Sequence, residues 1–121
     1  MGFSIPVSIP APVTERDILW ERCRNSLAVA RLLHHEGRPE ALVYTSCLMA
    51  VENACRAALE AAGLPYDGDL EGALARIGAP PDVWELQQLG PSARRLAAAE
   101  RAAAWFATYL RRAVPGRTWG F

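Results

Sequence analysis

Apolar residues along this chain recur at intervals of three and four, the period of helices that bury one side. In the first such block Leu19, Cys23, Leu27, Ala30 and Leu33 are spaced four, four, three and three apart. Thr14, with Asp17 three residues on, reads as a capping-box start. "EGRP" ends the block near Glu36, with Gly37 suited to the C′ position and Pro39 to opening the next element. The second block runs from about Pro39 to Ala62 with a main stripe of Tyr44, Leu48, Val51, Cys55 and Leu59. Ala50, Ala54, Ala57, Ala58, Ala61 and Ala62 keep the rest of its surface small, and Gly63 and Pro65 stop it. Two helices of ~22 residues, each ~33 Å long and joined by a two- or three-residue turn, form an antiparallel hairpin.

After the loop "LPYDGD", "LEGALARI" from Leu70 to Ile77 predicts a short helix that "GAPP" ends. Asp82 and Glu85 in "DVWE" make another capping pattern, opening a helix that Gly90 and Pro91 interrupt. Ser92 then reads as the cap of a last long helix reaching about Val114, its core face Leu96, Ala99, Ala103, Phe106 and Leu110. "FSIPVSIPAP", with prolines at 6, 10 and 12, predicts an extended arm, and "PGRTWGF" a tail. No segment shows the two-residue period of a strand, and there is no internal repeat. The expectation is an all-α, up-and-down helical bundle over residues 14–114, with an arm at 1–13 and a tail at 115–121. It has two long N-terminal helices, a short helical connection and a long C-terminal helix.

Composition supports a single self-sufficient core: 121 residues, 51% apolar and 21% charged. Cys23, Cys47 and Cys55 are an odd set without metal-ligand spacing. Cys47 and Cys55 stand ~12 Å apart on one helix, too far to bridge. They read as reduced, buried thiols. The first fifteen residues lack the basic start and long apolar run of a secretory signal, Pro6 breaks a myristoylation motif, and no charge-free stretch spans a membrane. The expected compartment is the cytoplasm, with no membrane partner.

Net charge is formally zero, which removes a global field for nucleic acid. Its distribution is uneven. Residues 1–91 carry seven arginines and twelve acids, whereas residues 92–121 carry six arginines and Glu100 alone, so the segments differ by about −5 against +5. Arg94, Arg101 and Arg112, seven and eleven apart, fall on one helical face and are candidate phosphate contacts. A solvated face, or one that meets the acids of the first part, is the simpler reading of the same stripe. Trp105 and Tyr109 sit beside the core stripe and are interface candidates, or boundary packing. Glu52 and Arg56, four apart on the apolar second helix, are either an ordinary helix pair or part of a binding site. His34 and His35 suit a helix C-terminus electrostatically and lack metal-binding companions, so no metal and no cofactor is expected. No phosphate loop, nucleophile elbow or Ser/His/Asp set is present, and no catalytic residue is assigned.

The run "ARLLHHEGRPEALVYTSCLMAVENACRAALEAAG" resembles the HEPN family, the higher eukaryote and prokaryote nucleotide-binding domains. Ala41, Ala50, Glu52, Arg56, Ala57 and Leu59 approximate that family's second helix, with Arg56 where Lys is usual. "GDLEGALARIGAPPD" and "AAAERAAAWFATYLRR" are similar to its short third and long last helices, so the resemblance covers about Asp17 to Arg112. Many members are ribonucleases bearing an Arg, four to six intervening residues and then a His near the last helix. Here both histidines lie on the first helix, and neither follows an arginine at that spacing. The resemblance therefore implies a non-catalytic binding or adaptor module, a homodimer, with a minimal nucleotidyltransferase or a nucleotide as partner and Glu52 and Arg56 in a groove between protomers. The alternatives are a degenerate ribonuclease toxin and a purely structural self-associating bundle.

Overall fold

In the computed structural model, which describes residues 13–80, 91–116 and 118–120, the chain enters its first helix through a full capping box. Thr14 Oγ1 accepts from the Asp17 backbone N–H at 3.3 Å, and Asp17 Oδ2 accepts from that of Thr14 at 2.8 Å. Two of the four orphan donors of the helix start are thereby satisfied. Helix α1 runs Glu15–His35, with His34 and His35 in the last turn. Gly37, at φ 68, turns the chain directly into α2, Glu40–Ala62. Gly63, at φ 72, closes α2; α3 follows at Leu70–Ile77 and α4 at Ser92–Ala113. The architecture is the expected all-α helical bundle, and among the described residues there are no strands. The helix expected after Asp82 and the N-terminal arm lie outside the described residues.

Ser92 corrects the sequence reading at one boundary. It is the first residue of α4 rather than its cap; the N-cap is Pro91, without a side-chain hydrogen bond. Pro91 sets the entry through its ring-fixed φ of −73°, and its carbonyl accepts from Arg94 N at 3.0 Å. The Ser92 side chain turns inward instead and is buried.

Three contacts fix how the helices run. Arg16 of α1 meets Glu60 near the end of α2 at 3.0 Å, so the hairpin is antiparallel. The Arg95 guanidinium sits 4.3 Å over the Tyr44 ring, bringing the starts of α2 and α4 together in parallel. Arg31, late in α1, pairs with Glu100 of α4 at 2.9 Å. Helix α2 is the central element, packed on α1, α4 and α3. Its buried set extends well beyond the expected stripe, to Val43, Cys47, Ala50, Asn53, Ala54, Ala57 and Ala58. The alanines explain this: a surface without bulk admits a neighbour on each side. Tyr44 and Leu48, expected in the core, are only half-buried at its edge. Phe106, Leu27, Leu59, Leu110, Val43 and Val51 fill the interior between the long helices.

The C-terminal segment is an integral part of the bundle. Trp119 is buried and meets Trp20 of α1 edge-on, ring centroids 6.0 Å apart at 88°. Trp20 Nε1 donates to the carbonyl of Gly120 at 3.0 Å. Among the described residues, no helix is long and apolar enough to cross a membrane.

Candidate functional site

Glu52 and Arg56 are one turn apart on α2, half-buried, and are not joined as an ion pair: the four ion pairs among the described residues lie elsewhere. Tyr66 comes between their roles. The left-handed Gly63 lets Leu64 N donate back to Leu59 O at 2.9 Å, so the chain doubles back along α2 and presents Tyr66 to it. Arg76 of α3 donates to the carbonyl of Pro65 at 3.2 Å and holds this loop from the other side. Tyr66 Oη donates to the Glu52 carboxylate at 2.9 Å, while the Arg56 guanidinium lies 5.7 Å from the Tyr66 ring centre. Burial, and then the hydrogen bond to Glu52, push the Tyr66 hydroxyl up to about 12.

Beside this trio a cavity of about 260 Å³ opens at the end of the hairpin. Arg56, Tyr66, Glu15 and Glu60 form its walls over a floor of Leu19, Leu59 and Leu64. The neighbouring Arg16 Nε lies 3.0 Å from Glu60, yet at an angle that makes no hydrogen bond, so its N–H is buried without an acceptor. The arrangement offers both signs of charge and an aromatic wall. The Tyr66 hydroxyl is committed to Glu52.

All three thiols are held towards the neutral form. Burial pushes Cys23 up to about 12; burial and then Glu100 push Cys47 up to about 11, against Arg95. Cys55 is pushed up to about 12 by burial, with Arg76 opposing and Glu52 adding. All three are free and buried. Burial thus disfavours the thiolate, the form that attacks and ligates.

The five candidate ligand- or phosphate-binding residues, Glu52, Arg56, Arg94, Arg101 and Arg112, do not converge. Arg94, Arg101 and Arg112 are exposed along ~27 Å of α4, and none is in an ion pair with a described residue. Arg94 belongs to the end where Arg95 meets Tyr44, whereas Glu52 lies ~12 Å further along α2. Trp105 and Tyr109 stack on each other, centroids 5.8 Å apart at 26°, with Trp105 edge-on to buried Phe106 at 5.0 Å. Both pack at the margin of the core. His34 and His35 are exposed at the far end of α1.

Sequence reasoning passed over Tyr66 and a second feature. Tyr66 had one visible signal, an aromatic in a loop otherwise made of Pro, Gly, Asp and Leu. The other is an apolar outer face: Ile18, Val29 and Leu32 on α1 and Leu42 and Met49 on α2 are each about half-exposed. Leu42 and Met49 share a helical column with Glu60, which touches Arg16, so they flank α1. Val29 is two residues, about 200° of helix, from Arg31, which points to α4. The apolar columns therefore look outward, away from α4. A shallow depression of about 400 Å³, lined by Val13, Asp17, Ile18, Glu21, Arg22 and Asn25, begins the same face. Compared with family models, curated proteins and solved structures, the chain has no match.

Proposed function

We propose that this chain is a non-catalytic binding or adaptor module that acts through protein contact. The observation that carries the reading is the outer face of the α1–α2 hairpin, where Ile18, Val29, Leu32, Leu42 and Met49 stand half-exposed together. Side chains of this kind grouped on two adjacent helices mark an interaction surface more than a solvated one. The HEPN-like run from Ala41 to Leu59 supports the same class. It also names the partner to test, a minimal nucleotidyltransferase, with homodimerisation as the accompanying assembly. Any nucleotide or phosphate contact falls to half-buried Arg56 beside Tyr66 and to the exposed Arg94, Arg101 and Arg112 on α4.

Native mass spectrometry of the protein purified from its own host at moderate salt tests this reading. A stoichiometric second polypeptide, or bound nucleotide, supports the module. A bare homo-oligomer with neither identifies a purely structural protein and overturns it. Addition of single-stranded RNA adds a separate readout: cleavage lost on Arg101→Ala or Glu52→Gln would replace the module with a ribonuclease.

A further inference from the structure

We infer that the outer face of α1 is the seam of a two-fold dimer, in which α1 lies antiparallel to the same helix of a second copy. This rests on the homodimerisation in that reading, and gives the outer face to a second copy rather than to the other polypeptide. The seam positions are Ile18, Arg22, Asn25, Val29 and Leu32, spaced four, three, four and three, which is the spacing that keeps one stripe facing one partner helix. All five are exposed in the single chain. The stripe is polar in the middle and apolar at both ends, so it is complementary to its own reverse. With Ile18 set against the partner's Val29, Arg22 meets the partner's Asn25, and the same two layers repeat across the axis. An Arg guanidinium donating to an Asn side-chain oxygen gives each of the two central polar layers a hydrogen bond across the seam, and polar layers of this kind fix register.

Three further features fit the same occupant. The first turn of α1 is acidic, with Glu15 and Asp17, and its last turn is basic, with His34 and His35. Antiparallel pairing places each acidic end beside the partner's basic end, and opposes the helix dipoles favourably. In this register the partner's Val13, 75% exposed in the single chain, reaches Leu32 and Leu42. Met49, 52% exposed, then covers the layer of Ile18. The exposed surface of Val13, Ile18, Val29, Leu32, Leu42 and Met49 is on the order of 600 Å² together, most of the ~800 Å² per partner of a standard interface. An apolar share of that size belongs to a homodimer rather than to a transient contact.

The test is a pair of engineered thiols, Ile18→Cys with Val29→Cys, in the full chain under oxidised glutathione. The two positions are eleven residues apart on one helix, ~16 Å, and cannot close within a chain. The three native thiols are buried. The seam gives a covalent dimer on a non-reducing gel from the double variant, at least tenfold above either single variant and the parent. A retained dimer mass with no cross-link places dimerisation on another face, which overturns the seam and leaves the module standing. Equal cross-linking of a single variant sets the wrong register and overturns it as well. So does a parent that is monomeric at tens of micromolar, or one that dimerises only after residues 2–11 are removed, which would make the arm the occupant. As a second variant Val29→Glu, at an exposed position, leaves the helical circular dichroism intact and yields a monomer; a dimer from it refutes the assignment.

Discussion

Tyr66 decides what Glu52 and Arg56 do. An acid and a base at i,i+4 would ordinarily serve each other on a helix surface for ~0.2–0.5 kcal/mol. Here the acid accepts from a loop hydroxyl and the base lies by its ring, so both side chains secure the chain after α2. Tyr66→Phe leaves the ring and removes a hydrogen bond to a charged acceptor at a half-buried site. The expected cost is about 1–2 kcal/mol in urea unfolding. Glu52→Gln keeps an acceptor and should cost less; equal losses would mean that the bond depends on the carboxylate charge, and no loss from Tyr66→Phe that the hydroxyl contributes nothing. The thiols give a residue-scale prediction in pH. Their folded values are raised to about 11 or 12 from an ordinary 9. The folded state thus holds protons that the unfolded chain has released, so the stabilisation is complete below pH 9 and is lost as pH rises from 9 through 12. Each thiol contributes a slope of up to about 1.4 kcal/mol per pH unit between 9 and its own folded value, about 11 for Cys47 and about 12 for Cys23 and Cys55. Melting temperature should be level in this respect up to pH 9 and fall steeply above it. A Cys23→Ala variant should show a shallower fall.

Helix positions were legible in the sequence because their stop signals are backbone chemistry. Gly37, Gly63 and Gly78 all take the left-handed conformation at φ 68 to 76, which only glycine adopts without strain. Gly63→Ala introduces no clash, since nothing lies within 4 Å of a Cβ there, so its expected cost of about 1 kcal/mol isolates the conformational term. A cost near zero on thermal unfolding would show that the loop to Tyr66 relaxes. Thr14→Ala removes the acceptor for Asp17 N and should cost about 1 kcal/mol, with amide exchange rising in the first turn of α1 only. What could not be read was how wide each buried arc is. Periodicity marks the centre of a face, but α2 is covered on three sides by helices whose approach depends on the alanines of both partners. The start of α4 was misplaced by one residue for a related reason: Ser92 has the chemistry of a cap, and burial directed it elsewhere.

At the scale of the whole molecule the unreadable part was the tail, and it carries the largest prediction. "PGRTWGF" has no period, so nothing local announces that Trp119 crosses to Trp20, ninety-nine residues earlier. The same long-range blindness hid the outer apolar face, because exposure is a property of the assembled hairpin and not of α1 alone. Trp119 bridges the end of α4 and the start of α1, closing the bundle opposite the turn at Gly37. Trp119→Ala removes a fully buried aromatic and leaves its edge-on partner facing a void, for an expected loss of about 3–5 kcal/mol. Against a total stability on the order of 5–15 kcal/mol, that loss brings the midpoint of urea unfolding down by about a fifth or more. Trp119→Phe is the discriminating variant. The indole Nε1 of Trp119 is buried without a hydrogen-bond acceptor, so a smaller ring forfeits some packing and also removes an unsatisfied donor. Its net cost should stay below about 1.5 kcal/mol. If Trp119→Ala and Trp119→Phe are equally damaging, the ring's volume is not what anchors the tail. If neither moves the midpoint, the tail leaves α1 in solution and the bundle is held by its long helices alone.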